Sequence, residues 1–216
     1  MFTGIVTAVG RITDVAKQQI KGADTAQLGV RVTVSAPGFL REDTRIGDSI
    51  AIEGACMTVV DMPERQSGGR PGDVFLVDVS RESLSLTAGL DQPGPVNLEH
   101  SLRMGDTLDG HMVSGHVDGM GTVARLAPVG ESTELGIVVP LALARYMAVK
   151  GSVTVNGVSL TINAVADTDR GCLISINLIP HTLQVTTLGG LHEGDRVNLE
   201  VDMIARYVER MMAFQG

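Results

Sequence analysis

Five side chains of types that move protons or add to electrophiles stand out in this sequence: Cys56, His116, Ser159, Thr161 and Asp202. An imidazole exchanges protons near neutral pH, a carboxylate relays or orients them, and a hydroxyl or thiol attacks an electron-poor carbon. Ser159 and Thr161 lie two apart, so on a strand they share a face. That suits a pocket wall that hydrogen-bonds a polar heterocycle, and equally an ordinary surface strand. The others have plain structural readings too. Cys56, between Ala55 and Met57, reads first as a small core residue, and Cys172, ahead of Leu173 and Ile174, reads as structural. His116 stands at a glycine-bounded strand start, as a surface residue or a proton carrier, and Asp202 could simply cap a helix. His111 and His116 have no acid or thiol completing a ligand set, while Asp109 and Asp118 read as turn residues, so no metal site is expected. Gly115, Gly119 and Gly121 have the wrong spacing for a dinucleotide loop, and no phosphate loop is present.

What must position these residues is a duplicated scaffold. Met1-Phe2-Thr3-Gly4-Ile5-Val6 returns as Met112-Val113-Ser114-Gly115-His116-Val117. Ser49 to Thr58 returns as Ser152 to Thr161, Ser83 to Thr87 as Thr182 to Thr186, and Val96 to Glu99 as Val197 to Glu200. Four blocks in the same order, each displaced by roughly a hundred residues, make each repeat a domain rather than a solenoid unit. The halves are 1–101 and 112–202, joined by 102–111 and followed by a tail, 203–216. Duplication implies two related pockets, and the copies differ at chemically active positions. Ile5 pairs with His116, Cys56 with Ser159, and Ser101 with Asp202, while Thr58 and Thr161 match.

Within each half the signals are mostly β. Gly4–Ile12, Ala26–Val34, Ser49–Ile52, Met57–Asp61, Val74–Val79 and Val96–Glu99 are short apolar or alternating runs between turn residues. Gly115–Arg125, Glu134–Val139, Ser152–Val155, Leu160–Val165, Cys172–Leu178 and Arg196–Val201 repeat them. Six short strands in about a hundred residues predict a closed antiparallel barrel, which leaves no edge to aggregate. Pro140–Met147 and Met203–Met212 read as helices, the second with an apolar stripe at Ile204, Val208 and Met211 and Asp202 as its N-cap. That stripe needs a partner, either its own barrel or the same helix in other copies.

Composition narrows the function classes. A chain of 216 residues buries a full core without staples. A net charge of −8, with no Trp, two Tyr and four Phe, argues against a nucleic-acid binder. No apolar run approaches the roughly 20 residues of a membrane span. The start lacks a basic leader region, so no signal peptide is expected. Two distant cysteines fit reduced thiols in a cytoplasmic protein.

The motifs MFTGIV at 1–6, GACMTVV at 54–60, GHMVSGHVDG at 110–119, NGVSLTIN at 156–163, IPHTLQVTTLG at 179–189 and NLEVDMIARYVER at 198–210 resemble the riboflavin synthase family, alpha-chain type. The resemblance runs over nearly the whole chain. It implies an all-β fold of two tandem six-stranded antiparallel Greek-key barrels plus a C-terminal α-helix. It implies a homotrimer assembled through that helix, association with lumazine synthase, and no cofactor. The implied reaction is a dismutation of two molecules of 6,7-dimethyl-8-ribityllumazine. One donates a four-carbon unit to the other, giving riboflavin and 5-amino-6-ribitylamino-pyrimidinedione.

Carried over by position, the resemblance assigns Phe2, Thr3, Gly4, Ile5 and Val6 to the first lumazine site, with Ser49, Thr58, His111 and Gly157 as further binding residues. It assigns His116, Ser159, Thr161, Asp202 and Cys56 to the chemistry. One lumazine must lose a proton from its 7-methyl group and the other must gain a nucleophile, or water, at C7. His116 is the acid/base candidate, with Ser159, Thr161 and Asp202 to relay protons, and Cys56 either to add covalently or to shape the acceptor site. The family places the N-terminal barrel of one subunit against the C-terminal barrel of a neighbour. Glu53, Ala55, Met57 and Asp109 depart from the family pattern, and Glu53 would put a charge near the first pocket. A non-catalytic lumazine- or flavin-binding protein is the alternative. A reductase's flavin-binding barrel would require a following nucleotide-binding domain, which is not expected here.

Overall fold

The computed structural model describes residues 1–18, 28–63 and 72–214. The first half contributes β1 (Ala8–Lys17), β2 (Val30–Ser35), β3 (Ser49–Ile52), β4 (Ala55–Asp61), β5 (Val74–Val79), helix α1 (Arg81–Leu86) and β6 (Gly94–His100). The second contributes β7 (Gly119–Val129), β8 (Ser132–Pro140), α2 (Leu141–Ala144), β9 (Ser152–Val155), β10 (Val158–Thr168), β11 (Gly171–Leu178), α3 (Pro180–Val185) and β12 (Arg196–Val201). Helix α4 (Met203–Ala213) follows. Each half closes into a six-stranded antiparallel barrel, in the order β1-β2-β5-β4-β3-β6 and the equivalent order in the second half. The β3-β4-β5 meander with β2 returning beside β5 is a Greek key. Residues 26 and 27 of the expected second strand, and 215 and 216 of the tail, lie outside the described residues.

Alternation builds the interiors. Along β4, Ala55, Met57 and Val59 are buried in the first barrel, while Cys56 and Thr58 face outward. Cys56 is therefore not part of the barrel interior, which its two neighbours fill; half-buried, it packs instead on a small apolar cluster of Phe2, Ala51 and Val113. Strands β3, β6, β9 and β12 have buried runs in place of alternation. One face packs inside the strand's own barrel, and on β6 and β12 contacts between the halves cover Asn97 and Asn198 on the other. Asn97 Nδ2 donates to the Asn156 carbonyl at 2.9 Å, and Asn198 Nδ2 donates to the Glu53 carbonyl at 2.9 Å.

The β3–β4 and β9–β10 hairpins meet at this seam through two-residue turns. Glu53 and Gly54, like Asn156 and Gly157, have positive φ, as the favoured hairpin turn requires. A Cβ on Gly54 would stand 2.7 Å from the Gly157 nitrogen. Glu53 is buried here, not in the first pocket. Its carboxylate accepts from the Asn97 N–H at 2.6 Å and the Thr187 hydroxyl at 2.8 Å.

Two departures from the expected elements shape the sites. Residues Gly4–Thr7 and Gly115–Asp118 read as strand starts, yet they lie outside β1 and β7. They form two arms, described below. The six-residue helices α1 and α3 are too short to show a helical period.

Candidate active site

Each arm is anchored to its own half and laid on the other. The Thr3 N–H and hydroxyl donate to Glu99 Oε1 at 2.6 and 2.8 Å, and the Gly4 N–H donates to Oε2 at 3.0 Å. The Gly4 carbonyl then accepts from the Ser159 N–H at 2.8 Å, in the second barrel. The other arm copies this arrangement. The Ser114 N–H and hydroxyl donate to Glu200 Oε1 at 2.7 and 2.6 Å, and the Gly115 N–H donates to Oε2 at 2.9 Å. The Gly115 carbonyl accepts from the Cys56 N–H at 2.7 Å, in the first barrel. Both glycines have φ +77, which glycine adopts without a steric penalty. A Cβ on Gly4 would lie 2.6 Å from Ser159 Cβ, and one on Gly115 would lie 2.7 Å from Cys56 Cβ. Phe2 and Val113 exchange backbone hydrogen bonds where the arms cross, and both pack on Ala51.

The crossing decides which residues meet. His116 comes from the second half but lines the cavity of Cys56, a space of about 220 Å³ walled also by Glu82, Ser83, Leu86, Thr87 and Val117. On the other side Val6 packs against the second barrel's core, so the arm expected at the first lumazine site lies against the second barrel. The histidine beside Ser159 is His111. Its Nδ1 lies 2.7 Å from Ser159 Oγ, and its backbone N–H donates to the Thr3 carbonyl at 3.1 Å. Burial pushes the His111 imidazole below its ordinary value, and the charge of Asp202 pulls it part of the way back. Asp202 also caps α4, accepting from the Ile204 N–H at 2.8 Å. So the chain holds one thiol–histidine site, Cys56 with His116, and one hydroxyl–histidine site, Ser159 with His111.

The remaining sequence-derived residues fall around these two sites. Ser49 and Thr58 pair across β3 and β4, and Thr161 pairs with Ser152 across β9 and β10. Thr58 and Thr161 are exposed, and Ile5 is 43% exposed. The Ile5 N–H donates to Thr3 Oγ1 at 3.1 Å. Gly157 belongs to the seam turn. Sequence reasoning did not single out Glu99 and Glu200 as site residues. The repeated Asn-Leu-Glu block, at 97–99 and 198–200, carries both. Among the described residues, no three His, Cys, Asp or Glu side chains are grouped as a metal site would require.

The α4 stripe stays open. Ile204, Tyr207, Val208 and Met211 are 60%, 67%, 49% and 67% exposed. The helix is tied to the second half on its polar side, through Arg206–Asp118 at 2.7 Å and Arg145–Glu209 at 2.9 Å. No helix among the described residues is long and apolar enough to cross a membrane.

Comparison with known proteins agrees with this architecture. The family described as "Lumazine binding domain" matches residues 3–101 and again 114–202. A riboflavin synthase of Mycobacterium tuberculosis (strain ATCC 25618 / H37Rv) is 39% identical over 218 residues, covering 100% of both chains. That of Photobacterium phosphoreum is 38% identical over 214 residues, covering 98% of this chain and 89% of its own. That of Bacillus subtilis (strain 168) is 34% identical over 214 residues, covering 98% and 90%. Among solved structures, LumP complexed with 6,7-dimethyl-8-(1'-D-ribityl) lumazine superposes with a TM-score of 0.73 at 26% identity, covering 93% of this chain and 99% of that one. With the family matched once in each half and curated relatives aligned from end to end, the chain belongs to the riboflavin synthase family.

Proposed function

We propose that the two sites hold two molecules of 6,7-dimethyl-8-ribityllumazine and bring them through the family's dismutation in different roles. One observation carries this reading: a duplicated chain presents two related but chemically unlike sites, Cys56 with His116 and Ser159 with His111. A reaction in which one substrate gives four carbons and an identical one receives them needs that unlikeness. Holding two rings in reacting geometry is itself a large contribution, of order 7–11 kcal/mol in favourable cases.

In the Ser159 site, burial favours a neutral His111, whose Nδ1 is set to take the hydroxyl proton. Ser159 then serves as a base toward an acidic methyl group or as a nucleophile toward a ring carbon. Asp202 stabilises the imidazolium that forms. In the other site His116 exchanges protons with ligand and Cys56 adds to it or shapes the wall. Thr58 and Thr161 supply hydroxyls on the outer faces of the hairpins, while Phe2, Thr3, Gly4, Ile5 and Val6 form the arm that closes the second site. Ser49 and Gly157 belong to the hairpins beneath.

Both sites lie on outer barrel surfaces, and the α4 stripe is uncovered. These features support a homotrimer in which the N-terminal barrel, 1–101, of one copy faces the C-terminal barrel, 112–202, of the next. The segment 102–111 connects the barrels, and 203–216 assembles the copies. The free thiols of Cys56 and Cys172 fit the cytoplasm. Association with lumazine synthase rests on the resemblance alone and is tested by co-sedimentation.

Subunit mixing tests the shared site. His116→Gln and Ser159→Ala are each expected to lose most turnover. Refolded together, they regain activity, because a mixed trimer pairs an intact first site with an intact second one. Two active single variants, or no recovery on mixing, would contradict the proposal.

A further inference from the structure

The arms are held by carboxylates rooted in one barrel and pressed onto the site of the other. Glu99, buried at the end of β6, takes two donors from Thr3 on one oxygen and the Gly4 N–H on the other. Glu200, buried at the end of β12, does the same with Ser114 and Gly115. In both cases the glycine held by its N–H uses its carbonyl to fix the reactive residue's backbone across the boundary. Only an acceptor with two free oxygens meets three converging donors; a Gln amide would turn an NH₂ toward one of them. The paired Glu, Gly and donor hydroxyl persist in both halves although the residues they serve have diverged, Cys56 from Ser159 and Ile5 from His116.

We propose that Glu99 and Glu200 are positioning residues that act crosswise: Glu99 of the first barrel sets the Ser159–His111 site of the second, and Glu200 of the second sets the Cys56–His116 site of the first. This rests on the reading that these two sites bind ligand, but its consequences are measurable without one. The His111 backbone N–H is bound to the Thr3 carbonyl, inside the arm that Glu99 holds. Cys56 lies beneath the arm that Glu200 holds. The acceptor geometry lost in Glu99→Gln therefore appears at His111, and that lost in Glu200→Gln appears at Cys56.

The experiment uses the full chain without ligand and reads both sites in each variant. His111 is titrated by imidazole NMR, and Cys56 is followed by its rate of alkylation, with buried Cys172 as an internal check of folding. Glu200→Gln is expected to speed Cys56 alkylation about tenfold, from the loss of charge-assisted hydrogen bonds, and to leave the His111 titration in place. Glu99→Gln is expected to bring the His111 titration up toward the ordinary imidazole value and leave Cys56 alkylation unchanged. If a Gln variant does not fold, Thr3→Val and Ser114→Ala remove one donor each and give the same crossed pattern at smaller size. Same-side effects, both reporters moving together, or neither moving in a folded variant would overturn the proposal. Failure of the wild-type protein to bind 6,7-dimethyl-8-ribityllumazine would sink the functional reading and leave this result standing.

Discussion

Replacing Gly4 by alanine tests the arm geometry with a single methyl group. The new Cβ would stand 2.6 Å from Ser159 Cβ, 2.8 Å from its nitrogen and 3.0 Å from its Cα. Two of those three atoms are backbone, so no rotamer change relieves the contact. At φ +77 the alanine also pays about 1–2 kcal/mol for a left-handed backbone. The arm must lift, which costs the Ser159 N–H its hydrogen bond, about 1 kcal/mol more. Gly38 supplies the control: its φ is +71, but nothing lies within 4 Å of an added Cβ. Gly38→Ala should therefore cost only the backbone preference. Gly4→Ala should cost roughly 2–3 kcal/mol and lose most turnover as well. Urea unfolding of both variants, with steady-state formation of riboflavin, measures the difference. Equal stability losses in the two variants, with Gly4→Ala fully active, would refute the account of the arm.

Other consequences are as direct. Burial lifts the Glu53 carboxyl to about 7, so the folded state holds its proton in a range where the unfolded state has released it. Its contribution to stability is complete below the ordinary carboxyl range and is lost as pH rises through 7; Glu99 and Glu200, also raised, act in the same direction. Glu53→Gln should flatten that slope in urea titrations between pH 5 and 8.5, by a few kcal/mol at most, and an unchanged slope would remove Glu53 as its source. Ser159→Ala, by depriving His111 of its partner, should lower kcat by about 10²- to 10⁴-fold with little change in KM. Full turnover in Cys56→Ser would eliminate covalent addition by that thiol. Val208→Glu, in the exposed stripe of α4, should convert the proposed trimer to monomers in sedimentation and abolish the proposed two-subunit site; an active monomer would contradict the shared site.

The barrels were legible because most strands carry inward alternation, a local property, and because the four repeated blocks mark a duplication in the sequence itself. Asp202 as the cap of α4 was legible for the same reason: a side chain reaching the next turn is fixed by nearby sequence. The arms were not. Gly4-Ile5-Val6-Thr7 has the composition of a strand, and what removes it from β1 is a carboxylate 95 residues away. The same crossing separated His116 from Ser159, although both come from the second half. Nothing in their spacing shows that an arm docks on the opposite barrel. Cys56 was legible as a notable residue but not in its direction, which Ala55 and Met57 settle by taking the interior. Glu53 looked like a charge for a pocket because its neighbours in sequence line one. The turn at 53–54 instead carries it into the seam, where Asn97 and Thr187 hold it.

The central claim is that this chain joins two like substrates at two unlike sites. The most direct test incubates purified protein, with no added cofactor, with 6,7-dimethyl-8-ribityllumazine and follows both the lumazine and riboflavin absorption bands. The account predicts two lumazines consumed for each riboflavin formed. A lumazine that binds and persists unchanged would contradict it.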